Sequence, residues 1–206
     1  MSAPRGIARH ATRRGRIVGD LPVATMTGVE IVRAALEESA ALHRQVAVER
    51  ADDLLHAADL VRDALVGGRK VLVFGNGGSA TDAQHFAAEF VGRFLRERRA
   101  APVIALTTDT AILTCLGNDY GFESVFVRQV EALGGPGDVA IGITTSGASA
   151  NVNLALQRAR AMGLVTIGVT GRDGGETGRL VDVHVNVPSS RSTDRQNAML
   201  LDCALR

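Results

Sequence analysis

Tryptophan is absent, and Phe, Tyr and Trp together make up 3% of the 206 residues. Stacking platforms for single-stranded nucleic acid or for sugar rings need aromatic faces, so recognition falls to hydrogen bonds. Cysteine is nearly as scarce. Cys115 and Cys203 stand far apart without C-x-x-C spacing, which indicates neither a disulfide framework nor a thiolate zinc site and makes a reducing cytoplasm the expected setting. No apolar run approaches the roughly 20 residues that span a bilayer, and no apolar leader core follows the first methionine. Net charge is only +1, so the field of the whole molecule gives neither a membrane nor nucleic acid a reason to bind. What is there is a chain with 46% hydrophobic residues, enough for one well-buried core. A small polar metabolite is its expected ligand.

Residues 1–26 read as a basic, disordered extension, with Arg5, Arg9, Arg13, Arg14 and Arg16 and little to bury. An anion-binding arm and a start at Met26 are the alternative readings. Residues 27–206 then form a single domain. Two helices are expected between Val29 and Gly67, the second marked by Leu54, Ala58, Val61 and Leu65 at helical spacing and closed by Gly67-Gly68. After them, short Val/Ile/Leu runs alternate with helical patterns. Strands are expected at Lys70–Phe74, Pro102–Leu106, Asp138–Ile143, Leu164–Val169 and Asp182–Val187. Helices are expected at Ala80–Phe94, Asp109–Leu116, Phe122–Leu133 and Ala150–Met162, with a turn or short helix at Gly174–Leu180 and a last helical stretch from Thr193. Such alternation predicts an α/β fold with a parallel sheet covered on both faces and ligands at the carboxyl ends of its strands.

Polar chemistry gathers at those ends. Gly75-Asn76-Gly77-Gly78-Ser79 joins the first strand to a helix, with Ser79 expected as N-cap, and the unpaired N–H groups of a helix start attract anions. On the same helix His85 and Glu89 are spaced i, i+4, which puts imidazole and carboxylate on one face and suits metal binding or proton transfer. Two such groups are a partial metal site at best, because zinc takes about four ligands. Thr144-Thr145-Ser146-Gly147-Ala148-Ser149 precedes another helix and could hold a phosphate on hydroxyls and N–H groups. No Gly-Lys-Ser/Thr follows either loop and no G-x-G-x-x-G is present, so neither a P-loop nor a dinucleotide fingerprint applies. Asn118-Asp119-Tyr120-Gly121 reads as a turn closing a helix or as a place to orient sugar hydroxyls. His184 alternates with Val183 and Val185 and reads as structural.

Taken in order, Gly75–Ser79, Asp82-Ala83-Gln84-His85-Phe86, Asn118–Phe122, Gly137-Asp138, Thr145–Ser149 and Thr170–Gly175 resemble the sugar isomerase (SIS) domain family. The resemblance runs from about Val29 to Arg195. It implies a three-layer α/β/α sandwich around a five-stranded parallel sheet, preceded by two N-terminal helices, assembling as a homotetramer with sites between subunits. The implied activity interconverts sedoheptulose 7-phosphate and D-glycero-D-manno-heptose 7-phosphate, the entry to nucleotide-activated heptose. By resemblance Glu89 is the base, His85 and Glu89 are zinc ligands, and Asn76, Gly77, Gly78 and Ser79 meet the sugar phosphate. Asn118 and Asp119 would bind sugar hydroxyls, and Thr144, Thr145, Ser146 and Ser149 the phosphate. The family's closing helix carries a Gln and a catalytic His. Here Asn197 stands at the Gln position, as a candidate substrate contact, and Leu205 at the His position. A leucine moves no proton, so a non-catalytic SIS protein, of the initiator-associating or sugar-phosphate-sensing kind, is the alternative.

Overall fold

The computed structural model describes residues 27–93 and 97–188. The basic extension, Asn197, Leu205 and the helix expected from Thr193 lie outside the described residues. The chain divides into two compact units, Met1–Glu37 and Glu38–Arg206. In the first, Thr27 opens helix α1 (Gly28–Glu49) with a capping box. Its backbone N–H and hydroxyl donate to Glu30 Oε2 (2.7 and 2.8 Å), and Glu30 N–H donates to Thr27 Oγ1 at 3.3 Å.

The second unit holds the rest of α1 and then α2 (Ala51–Val66), β1 (Val71–Gly75), α3 (Gly78–Val91), β2 (Val103–Ala105) and α4 (Thr110–Tyr120). A 3₁₀ turn at Phe122–Ser124 follows, then α5 (Val127–Leu133), β3 (Val139–Thr144), α6 (Ala150–Ala161), β4 (Val165–Thr170), α7 (Thr177–Leu180) and β5 (Val183–Asn186). All five strands are parallel, in the order β2-β1-β3-β4-β5. Among the described residues the expected strands and helices are present with ends moved by a few residues, except that the helix expected over Phe122–Leu133 is split. Gly121 (φ +85°) turns the chain after α4, and Val125 and Phe126 sink into the core between the 3₁₀ turn and α5.

Strand pleat sorts the core into two layers. Val71, Val73, Val139, Ile141, Ile143, Ile167 and Val169 face Leu42 and Val46 of α1, Leu54, Ala57 and Val61 of α2, and Ala83, Phe86 and Phe90 of α3. Leu72, Phe74 and Ala140 face Val125, Phe126 and Val130 on one side and Val152, Leu156 and Ala159 of α6 on the other. Gly142 explains the close seating of α6, since a methyl there would lie 2.7 Å from Leu156 Cδ1. At the amino end of the sheet Asp138, almost fully buried, pairs with Lys70 Nζ and accepts from the Lys70 and Gly135 N–H groups at 3.0 and 2.8 Å. Burial alone would raise its pKa, but Lys70 and the Gly135 amide hold it below the usual carboxylate value. Among the described residues no helix is long and apolar enough to cross a membrane.

Candidate functional site

The strand order decides where a ligand can sit. The connection from β1 runs to β2 on one side, and the next crosses back over β1 to β3 on the other. A crevice therefore opens beyond the carboxyl ends of β1 and β3, the switch point at which doubly wound sheets bind ligands. Gly75 and Ile143 pair at this end. The β1–α3 turn (Asn76–Gly77) and the Thr144–Ser149 loop, 70 residues apart in sequence at their glycines Gly77 and Gly147, form its two walls.

Gly77, not Ser79, is the N-cap of α3: its φ is +57°, and its carbonyl receives the N–H groups of Ala80 and Thr81 at 3.0 and 3.3 Å. The helix thus begins sooner than expected, and Ser79 is buried in its first turn, where its Cβ would lie 2.7 Å from one added to Gly75. Only glycine at position 75 lets helix and strand approach so closely. The leading N–H groups of a helix have no partner within it and can take an anion.

Asn76 does not project its amide into open solvent. It exchanges two hydrogen bonds with Asn151, Nδ2 to Oδ1 in each direction at 2.9 Å, and so ties the first wall to the start of α6. Across the crevice Thr144 Oγ1 and Ser149 Oγ are 2.9 Å apart, and Ser146 Oγ accepts from Ala148 N–H at 3.2 Å. Ser149 is the N-cap of α6 in position, but its hydroxyl is spent on Thr144 and not on the helix. Thr145 is held from below, its carbonyl accepting Gly171 N–H at 3.1 Å. The Gly147 carbonyl accepts Thr177 N–H at 3.0 Å, with the Thr177 hydroxyl 3.1 Å away. Thr177, Asn151 and Asn153 were not singled out in the sequence. The signal they offer is that amides within the first turn of α6, both 3% exposed, follow a hydroxyl-rich loop.

His85 and Glu89 are brought together as expected, with Nε2 and Oε1 3.2 Å apart; the imidazole is exposed and the carboxylate largely covered. With zinc–ligand bonds of about 2.0–2.1 Å, neighbouring ligands of a tetrahedral ion stand about 3.3 Å apart. The pair therefore fits two of zinc's positions. Among the described residues no group of three or more His, Cys, Asp or Glu completes a set. Asn118 and Asp119 lie exposed on the last turn of α4, hydrogen-bonded to each other at 2.7 Å. Asp119 also accepts from Cys115 Sγ (3.6 Å), which raises the thiol's pKa and makes it a poor nucleophile.

The parallel sheet and the sequence that builds it have counterparts among known proteins. The model of the SIS domain family matches residues 36–171. The chain belongs to the SIS domain family. Among SIS domain proteins it is 57% identical over 159 residues to a phosphoheptose isomerase of Geobacter sulfurreducens, covering 77% of this chain and 82% of the relative. A phosphoheptose isomerase of Aquifex aeolicus is 55% identical over 161 residues, covering 78% and 84%. In three dimensions this SIS domain superposes on a phosphoheptose isomerase from Neisseria gonorrhoeae with a TM-score of 0.79 at 42% identity, covering 86% of this chain and 98% of the other. For the enzyme from Francisella tularensis the TM-score is 0.82 at 34% identity, with 87% and 97% covered.

Proposed function

We infer that this chain is a phosphoheptose isomerase, a sugar-phosphate ketose/aldose isomerase that interconverts sedoheptulose 7-phosphate and D-glycero-D-manno-heptose 7-phosphate. Its likeness to enzymes of that name supports the activity. The observation that carries the assignment to particular residues is the layout of α3, which has an anion-binding turn at one end and a carboxylate near the other.

Ser79 and Glu89 are ten residues apart on α3, about 15 Å along the axis at 1.5 Å per residue. A zigzag chain of seven carbons with its phosphate measures about 10 Å from phosphorus to C1, given C–C bonds of about 1.5 Å. Helical side chains lean toward the helix N-terminus, so the Glu89 carboxylate covers much of the difference. With phosphate held by Thr144, Thr145, Ser146, Ser149 and the Asn76–Ser79 turn, the C1/C2 end of a heptose reaches Glu89, and a triose phosphate does not.

Glu89 takes the proton from the carbon next to the carbonyl and returns it to the neighbouring carbon, so that the carbonyl moves between C2 and C1 through an enediol. A second group must shift the proton between the two oxygens. Asn118, Asp119 and Asn197 are proposed to bind sugar hydroxyls, and Gly77 and Gly78 to approach the ligand with their backbone. Zinc is proposed at His85 and Glu89, with further donors that the described residues do not supply. Bound there, it would supply positive charge to stabilise an enediolate. A homotetramer and a cytoplasmic setting are part of the same proposal. In support of assembly, α4 has no fully buried residue and leaves Ile112 exposed, while its Leu113 and Leu116 are only partly covered, against the second core layer.

The test is a discontinuous assay of aldose formation from sedoheptulose 7-phosphate, with and without zinc, beside Glu89→Gln. We expect turnover in the parent protein and a loss of about 10²–10⁴-fold in the variant, the usual cost of removing a general acid or base. Absence of turnover in the parent, with the sugar phosphate still raising its melting temperature, would overturn the isomerase and leave a sugar-phosphate-binding SIS protein.

A further inference from the structure

His184 reads as a structural residue in the sequence, yet its surroundings tie it to the site. Its ring lies under the loop between β4 and α7. A methyl on Gly178 would come within 2.6 Å of His184 Cε1, and one on Gly174 would overlap the same atom. Two glycines thus make room for one imidazole. Nε2 of that ring is 2.7 Å from Thr170 Oγ1, at the end of β4.

The direction of the hydrogen bonds follows from the next two partners. Asn186 Nδ2 donates to the Arg172 carbonyl at 3.2 Å, which leaves Asn186 Oδ1 to accept the Thr170 hydroxyl proton, also at 3.2 Å. With its single proton used, Thr170 Oγ1 can only accept from His184, so Nε2 carries the hydrogen. Burial, and then the nearby Arg50 charge, keep the imidazole's pKa below its ordinary value against a smaller opposing effect of Asp53. The chain from His184 through Thr170 and Asn186 ends on Arg172, which among the described residues is the non-glycine residue held at positive φ (+49°). A side chain beneath the loop thus fixes its most strained residue.

The upper side of the same loop supports Thr145–Gly147. A methyl on Gly147 would overlap the Gly174 carbonyl, and one on Gly175 would stand 2.6 Å from the Ser146 carbonyl. Gly171 and Thr177 donate N–H groups to the Thr145 and Gly147 carbonyls. The phosphate loop rests on the β4–α7 loop, which rests on His184.

We propose that His184 is a positioning residue for the phosphate loop: its ring and its Nε2–H hold Gly171–Gly175 at the height that sets the hydroxyls and N–H groups of Thr145 and Ser146 against a phosphate. This rests on the reading of Thr144–Ser149 as the phosphate site. The group touches no substrate and acts through the loop alone.

Calorimetric titration of the full chain with inorganic phosphate, together with steady-state kinetics on sedoheptulose 7-phosphate, tests it. His184→Ala should weaken phosphate binding and raise KM by about tenfold each, the cost of one lost buried hydrogen bond and a shifted contact, while kcat stays within about threefold. His184→Gln keeps an N–H donor of similar reach and should recover most of the affinity. If His184→Ala fails to fold, Thr170→Val removes the acceptor without changing the volume and should weaken phosphate in the same way. Parental phosphate affinity in His184→Ala well below its melting temperature, or no recovery in His184→Gln, would overturn the proposal. Ser146→Ala and Thr145→Val separate the two readings. If neither weakens phosphate binding, the phosphate loop is misassigned and the proposal falls with it. If both do while the His184 variants do not, the proposal alone fails.

Discussion

Gly147→Ala should damage the site far more than its single added methyl suggests. Position 147 has φ +63° and lies where the Thr144–Ser149 loop meets the loop after β4. An alanine there adds the left-handed conformation, about 1–2 kcal/mol, to a clash. Its methyl would overlap the Gly174 carbonyl and stand 2.8 Å from Gly175 N. Carbon contacts settle near 3.5 Å, so the loops must part by about 1 Å, with an overpacking cost of about 1–3 kcal/mol. The sum, about 2–5 kcal/mol, corresponds to a melting temperature lower by about 5–15 °C for a domain of this size. Gly163→Ala is the control. It also sits at positive φ (+80°), in the turn before β4, but a methyl there meets nothing closer than Pro136 Cβ at 3.5 Å. It should lose only the conformational part, about 2–6 °C, and keep parental activity. A 1 Å displacement of a binding group can cost about 10²-fold, so kcat/KM of Gly147→Ala should fall by that order at a temperature where circular dichroism shows both variants folded. Equal melting temperatures for the two variants, or parental kcat/KM in Gly147→Ala, would refute the interlocked-loop account.

Asp138→Asn should lower stability by about 2 kcal/mol, between the values for exposed and buried ion pairs because Lys70 is 31% exposed. The folded-state pKa of Asp138 lies below its unfolded value, so the unfolded chain binds the extra proton first as pH falls. The gap between parent and variant in urea denaturation should therefore be full above about pH 3.9 and shrink below it; a gap that widens in acid would contradict the pairing. For the Asn76–Asn151 amide pair, a double-mutant cycle to alanine should give a coupling of about 1–2 kcal/mol in thermal or denaturant unfolding. Strictly additive losses would mean that the two hydrogen bonds do not couple the walls of the crevice.

Much of the architecture can be read locally. Val71–Phe74 and Val139–Ile143 are continuous apolar runs because both faces of the sheet are covered, and that pattern needs no knowledge of the neighbours. The i, i+4 spacing of His85 and Glu89 places them side by side through helix geometry alone. Local reading erred where packing decided. Ser79 has the chemistry of an N-cap, but the left-handed Gly77 starts the helix first and buries it. Phe122–Leu133 has the composition of one helix, but it breaks so that Val125 and Phe126 can fill the layer beside Phe74. The sequence by itself therefore determined the elements, the glycine turns and the pairing of His85 with Glu89, all set by backbone geometry within one or two turns. Only the tertiary structure decided the β2-β1-β3-β4-β5 order, the crevice it opens, the Asn76–Asn151 bridge across 75 residues and the stacking of Gly147 on Gly174 above His184. Those contacts join segments whose proximity depends on how the whole sheet closes, and no local preference encodes that distance.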